Sequence, residues 1–295
     1  MFTTAIETVA NFTRPIHTIL RTYGGKQVIP SSSTLFFVND LGYAVTCKHV
    51  VELLISSENV NQQFTQYKGE RARLANDGKH KQHLRGLELK YNYNHDSFVE
   101  IRNNFLDCID TMSGFTCHVH PIYDLAIVKF NDFNRIMYTG HARFLRDGTS
   151  IKQGKTLCRL GFPFPEFTNY RYNETADQIE WTTEGMAQSP RFPLEGMVTR
   201  FLGDATGVVG IELSTPGLRG QSGGPLFDSN GVVYGMQYST KHLHLGFDLI
   251  DKEIMVNNKV KKVTDYSFIH LGQCIHVEII KRFLREHNVP FSEAD

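Results

Sequence analysis

No stretch of this chain approaches the roughly 20 consecutive apolar residues that a membrane-spanning helix needs. The first twenty residues, MFTTAIETVANFTRPIHTIL, also lack the pattern of a secretory leader: no basic segment precedes a continuous apolar run, and Glu7, Asn11 and Arg14 interrupt it. An excess of one charge is missing too. Lys plus Arg number 31 and Asp plus Glu number 31, so the net charge is zero and the electrostatic footprint of a nucleic-acid binder is absent. Cysteine is scarce and odd in number, at Cys47, Cys108, Cys117, Cys158 and Cys274. Three of these (Cys47, Cys158 and Cys274) sit inside apolar runs, which reads as reduced core residues and not as a disulfide framework. Together these absences point to a cytoplasmic protein with no membrane span. Metal-ligand spacing is missing as well. His80-x-x-His83, His118-x-His120 and His242-x-His244 lack Cys or carboxylate partners at usable distances, so they read as surface or loop histidines. Neither metal nor other cofactor is expected. The window Lys68–Lys90 holds seven Lys or Arg against three acidic residues, and reads as a solvated loop or helix face.

What is present is β structure. Short apolar runs alternate with Gly, Asn, Asp and Pro. Thr34–Val38 and Tyr43–Thr46 flank Asn39-Asp40-Leu41-Gly42, a strand–turn–strand pattern. Asp124–Phe130, Lys155–Phe162, Gly196–Leu202 and Gly207–Leu213 read as strands, and Pro225–Phe227 with Val232–Ser239 repeats the hairpin. Spacing of this kind suggests a sandwich or barrel rather than βαβ units. Two helices stand out. A turn or two should follow His49. A clearer helix spans 277–288, where Ile279, Ile280, Phe283 and Leu284 form one face. Three stretches, 61–93, 165–193 and 241–266, read as insertions, and long loops in compact domains are often functional.

One segment carries chemistry on its own: Gly220-Gln221-Ser222-Gly223-Gly224-Pro225-Leu226. A serine hydroxyl needs a base to become a nucleophile, and the tetrahedral intermediate needs fixed N–H donors. A glycine two residues before the serine lets the backbone turn so that the amides of Gly220 and Ser222 converge. Histidine suits the base because its pKa lies near neutrality. His49, in Thr46-Cys47-Lys48-His49-Val50-Val51, ends a strand and opens a helix. Asp124 directly precedes an apolar strand; a half-buried carboxylate there needs a partner, and the His49 Nδ1–H can be that partner.

The order His, Asp, Ser across two β-rich halves is that of the chymotrypsin-type triad. The segments TCKHVV, DLAIVKF, KTLCRLGFPF and GQSGGPLFDSNGVVYGM resemble the trypsin-like superfamily, and bacterial HtrA/Deg-type protease domains more than digestive trypsins. The resemblance covers roughly 34–51, 123–130, 155–164 and 194–239. It implies an all-β fold of two six-stranded antiparallel barrels with a C-terminal α-helix, divided as 1–145 (His49, Asp124) and 146–295 (Ser222). It implies a serine endopeptidase acting on protein or peptide substrates, with catalytic His49, Asp124 and Ser222 and an oxyanion hole from Gly220 and Ser222. The chain lacks an Ile-Val-Gly-Gly start, so activation by an inserted new N-terminus is not implied, and no PDZ domain is expected after the last helix.

The resemblance also locates a substrate pocket: Pro216, Gly217 and Leu218 before the nucleophile, Gln237, Tyr238 and Ser239 after it, with Gln273 as a third wall. Pro216 stands where trypsins carry the Asp that binds basic side chains. A small or apolar residue before the scissile bond is therefore preferred, with Gln273 leaving a polar one open. Bacterial intracellular relatives suggest a stress or defence role and a regulatory partner that orders the insertions. A protease-fold scaffold that no longer cleaves is the rival; the intact triad residues speak against it.

Overall fold

The computed structural model describes residues 2–205 and 207–295. Strands dominate and fall into two main sheets. The N-terminal sheet has six strands in the spatial order Phe98–Phe105, Thr13–Thr22, Ile29–Phe37, Tyr43–Thr46, Ala126–Asn131, Gly114–Val119, all paired antiparallel. The C-terminal sheet runs Pro225–Phe227, Thr156–Gly161, Phe192–Asp204, Gly207–Leu213, Phe268–His276, Val232–His244, Arg143–Leu145, Ser292–Ala294. Pro225–Phe227 also pairs with Val232–His244, which curls this sheet back on itself.

The expectation of two six-stranded barrels is thus met in coarser form, as a mostly β protein with curled sheets. The C-terminal sheet has eight strands, not six. The two additional strands pair in parallel: Arg143–Leu145 with Val232–His244, and Ser292–Ala294 with Arg143–Leu145. The C-terminal helix returns the chain to make the second of these pairings. Its fully buried Lys281 donates from Nζ to the carbonyls of Leu145 (2.9 Å) and Arg146 (2.7 Å) and pairs with Glu278 and Glu293. Three-residue strands of this kind are too short to show alternation.

That helix spans Val277–Glu286 and buries Ile279, Ile280, Phe283 and Leu284. It stops two residues before the expected 288, where Asn288 turns to φ +54. His276 caps it, Nδ1 accepting from the Glu278 N–H at 3.2 Å. The helix after His49 differs more from expectation. It runs Lys48–Arg71, 24 residues, and a second helix spans His80–Lys90, so the supposed polar insertion 61–93 is largely helical. Only Val50, Val51, Leu54, Phe64 and Tyr67 of the long helix are buried. So few apolar anchors on a mostly solvated helix blur its period. The insertion 165–193 folds into a hairpin, Tyr170–Asn173 with Gln178–Trp181, and 241–266 contains another, Leu249–Val256 with Lys259–Asp265. Among the described residues no helix is long and apolar enough to cross a membrane.

One apolar cluster joins the two sheets, with Phe36, Val45 and Val128 on one side and Leu157, Leu226 and Phe227 on the other. A smaller cluster encloses His17. Its ring is fully buried, stacks on Phe167 at 4.1 Å between centroids, and has no hydrogen-bond partner at either nitrogen among the described residues. Burial pushes its pKa down from 6.5 to about 4. The imidazole is therefore neutral in the fold, while the unfolded chain takes up a proton below pH 6.5. Stability is complete above 6.5 and is lost as the pH falls towards 4, by about 1.4 kcal/mol per pH unit. His17→Phe should remove up to about 3 kcal/mol of that acid-induced loss, read from urea midpoints between pH 7 and 4. An unchanged pH slope in the variant would assign the loss to other groups.

Candidate active site

The register of the N-terminal sheet brings the first two candidates together. Tyr43–Thr46 pairs with Ala126–Asn131, Thr46 opposite Ala126. The chain just beyond Thr46 therefore lies beside the chain just before Ala126. Cys47 is extended (φ −77, ψ 149) and the helix starts at Lys48, so His49 stands in its first turn. Asp124 meets it with both oxygens: Oδ2 lies 2.7 Å from His49 Nδ1, and Oδ1 accepts the His49 backbone N–H at 3.0 Å. The second bond satisfies one of the helix's orphan donors and sets a negative charge at its N-terminus. Burial pushes the Asp124 pKa up, but the hydrogen bonds from the His49 ring and from the His49 and Lys48 amides outweigh it, and the carboxyl is held below its ordinary value.

A histidine to which the sequence argument gave no role holds the turn before Asp124. His120 is buried, and its Nδ1 accepts from the N–H groups of Ile122 (3.1 Å) and Tyr123 (3.0 Å). His120, read as a surface or loop histidine, lies in a loop but is buried there. Burial depresses its pKa, which suits a ring that must accept at Nδ1.

The nucleophile candidate lies in a loop that only glycine can build. Gly220 and Gly223 have φ of +90° and +88°. A Cβ on Gly220 would lie 2.5 Å from the Phe162 carbonyl, and one on Gly223 2.0 Å from the Thr34 carbonyl. The N–H groups of Gln221, Gly223 and Gly224 are used by Leu218, Gln237 and Gln221 carbonyls respectively. Those of Gly220 and Ser222 have no acceptor among the described residues. Thr34, another residue the sequence did not single out, ties this loop to the N-terminal sheet: its N–H donates to the Ser222 carbonyl (3.0 Å) and its hydroxyl to the Gly220 carbonyl (2.7 Å).

The two segments also touch through Cys47, whose thiol donates to the Gln237 carbonyl at 3.4 Å, the carbonyl that accepts from Gly223. No hydrogen bond joins Ser222 to His49 among the described residues. His49 is half exposed (50 %) and Asp124 less so (27 %), so a substrate can reach the ring.

Ser222 opens onto a cleft of about 570 Å³. Pro216, Gly217, Leu218, Gln237, Tyr238 and Ser239 line it, joined by Arg219, Thr240, His242 and His270. Gln273 is not in its wall; its Oε1 instead accepts from the Tyr238 hydroxyl at 3.3 Å. His242, read as a surface or loop histidine, lies on the strand Val232–His244 opposite His270 and lines the cleft, its Nδ1 meeting Nδ1 of His270.

Cys47, His49 and Asp124 place one donor atom each within 4.8 Å of one another, which raises the question of a metal. The donor set does not fit one. Burial raises the Cys47 pKa well above its usual value, keeping a thiol rather than the thiolate a metal needs, and the Asp124–His49 pair is already satisfied.

Comparison with known proteins adds the family. A model of the trypsin-like peptidase domain matches residues 33–236. A solved structure of an HtrA-type protease, AlgW, with a tripeptide aligns over 97 % of this chain at 13 % identity, with a TM-score of 0.47; the chain spans 62 % of that structure's length. No curated protein matches by sequence.

Proposed function

From the fact that this chain belongs to the trypsin-like peptidase family, we propose that it is a serine endopeptidase with Ser222 as nucleophile, His49 as general base and Asp124 as the group that orients the base. The observation that carries this reading is the pair of bonds from Asp124 to His49, next to a glycine-built loop with two N–H groups that have no acceptor among the described residues. One half of the chain, 1–145, supplies His49 and Asp124, and the other, 146–295, supplies Ser222.

The reaction follows from these positions. With Nδ1–H held by Asp124, His49 Nε2 is the proton acceptor. It takes the Ser222 Oγ proton as Oγ bonds to the peptide carbonyl carbon, and the carbonyl π electrons move onto oxygen. The Gly220 and Ser222 N–H groups hold that oxyanion. The intermediate collapses, the C–N bond breaks, and the leaving amine takes the proton from His49. Water then repeats the sequence, releasing the acid and restoring Ser222. Asp124 stays ionised throughout.

The five cysteines are free thiols, which supports the reading of a reducing, cytoplasmic setting. Two further readings stand beside constitutive activity: a latent form switched on by a partner, and a silent scaffold. The absence of a Ser222–His49 bond among the described residues does not count against activity, because such bonds tighten when substrate binds. A fluorophosphonate probe combined with peptide-library cleavage tests all three. Labelling of the wild type that is lost in Ser222→Ala supports the enzyme. Labelling without cleavage supports latency. A folded wild type that neither labels nor cleaves overturns the protease reading.

A further inference from the structure

The strand Thr156–Gly161 carries an arginine in the middle of an apolar run. Arg159 is 0 % exposed. Its Nη1 donates to Gln237 Oε1 at 2.7 Å, and its Nη2 to the Thr215 hydroxyl at 2.6 Å and carbonyl at 3.1 Å. Its Nε has no partner among the described residues. Every acceptor is neutral, and among the described residues no carboxylate forms an ion pair with it. A buried cation without a counter-charge is costly to maintain, and the backbone makes room for it. A Cβ on Gly272 would sit 2.1 Å from Arg159 Nη1, so glycine is required there.

The guanidinium lies directly behind the cleft beside Ser222. Because Arg159 takes the Gln237 amide oxygen, the amide nitrogen must point the other way. Nε2 donates one N–H to the Ser239 carbonyl at 2.5 Å and lies under Gly217, where a Cβ would come within 2.2 Å of it. Its second N–H has no acceptor among the described residues. The cleft wall also carries Thr240, His242, His270 and Arg219, and it contains no Asp or Glu.

We propose that this cleft takes an acidic side chain, glutamate or aspartate, at P1, the residue before the scissile bond, and that Arg159 sets the preference by positioning and polarising Gln237. The inference rests on the serine-protease reading of the same site. A carboxylate entering the cleft loses water and needs donors in return; the Gln237 N–H supplies one, while the Thr240 hydroxyl is spent on the Gly217 carbonyl at 2.7 Å. The charge of Arg159 acts across one amide group through protein, not solvent, so it is weakly screened. A basic side chain meets only like charge there. An apolar one leaves the Gln237 N–H unpaired. Arg159 is a positioning residue, since it touches Gln237 and not the substrate.

The test is a matched set of fluorogenic peptides differing only at P1: Glu, Gln, Leu and Lys. The wild type should prefer Glu over Gln by about 10- to 100-fold in kcat/KM. Arg159→Met should collapse that ratio towards about one. Gln237→Glu guards against a folding defect, since its carboxylate would pair with Arg159 and retain the buried contact; it should place Glu below Gln. A merely structural role for Arg159 would lower all four rates together and leave the ratios alone. Fastest cleavage at Leu, or a Glu-to-Gln ratio near one in the wild type, overturns the proposal while leaving the protease reading intact. If the wild type cleaves nothing, the fluorophosphonate probe separates a latent protease, which labels, from failure of the protease reading, and in either case the subsite is read by fluorescence anisotropy with labelled peptides ending in Glu or Gln. Tighter binding of the Glu peptide, lost in Gln237→Glu, supports the acidic subsite; equal binding overturns it.

Discussion

Ser222→Ala should lower kcat by about 10⁶-fold, His49→Ala should cost about as much, and the double variant should be no worse than either single one. The non-additivity follows from the chemistry. Without the hydroxyl the base has no proton to take, and without the base the hydroxyl is a poor nucleophile. What survives is the loop itself. Gly220 and Ser222 still offer two N–H groups in Ser222→Ala, because alanine keeps the backbone amide and the φ of +90° belongs to Gly220. A residual acceleration of about 10³- to 10⁴-fold over water is therefore expected for attack by water on a bound peptide. The three variants should be compared at saturating substrate, with the wild type titrated by the fluorophosphonate probe to exclude carry-over. If the two single losses add in the double variant, His49 and Ser222 do not act as one unit. A loss of under about 100-fold in Ser222→Ala would remove the serine from the chemistry.

The residues differ in how far the sequence announced them. Ser222 was legible because its loop has a local requirement: positive φ at Gly220 and Gly223 demands glycine, and glycine at those positions is visible in one line of sequence. His49 and Asp124 have no local signature. They meet only because Thr46 pairs with Ala126 across two strands some 80 residues apart, and register between distant strands is not written in either segment alone. The role of Thr34 was invisible for the same reason, since its work is done through hydrogen bonds to Gly220 and Ser222 on the other sheet. Arg159 had a signal, a cation inside Leu157–Leu160, but an arginine at a strand position is ordinarily taken as facing solvent. The long helix was under-read because its buried residues are sparse. The extra parallel strands Arg143–Leu145 and Ser292–Ala294 were missed because each is held by the fold-back of the C-terminal helix, not by its own pattern.

Asp124→Asn is expected to leave the protein folded and to lower kcat by about 10⁴-fold. The reasoning turns on which oxygen does what. Asp124 Oδ1 accepts the His49 backbone N–H at 3.0 Å, and Oδ2 receives the ring's Nδ1–H at 2.7 Å. An asparagine is nearly the same shape. Its single carbonyl oxygen satisfies the backbone N–H if the amide nitrogen faces the ring. The ring must then accept at Nδ1 and carry its proton on Nε2. That is the wrong tautomer, because Nε2 must be empty to take the Ser222 proton. The alternative orientation keeps the tautomer but points an N–H₂ group at a helix N–H, which leaves donor facing donor. The charge is lost in either case, and with it the stabilisation of the imidazolium that forms during attack. Asp124→Ala separates the two duties. It should lose activity to a similar degree and also lose about 1 kcal/mol of stability, since the helix start at Lys48 then lacks its acceptor. Thermal midpoints and kcat measured on both variants decide the matter. Asparagine with an unchanged midpoint and a large kcat loss assigns Asp124 to the orientation of His49. Asparagine within tenfold of the wild type, with alanine merely less stable, would reduce Asp124 to a helix cap.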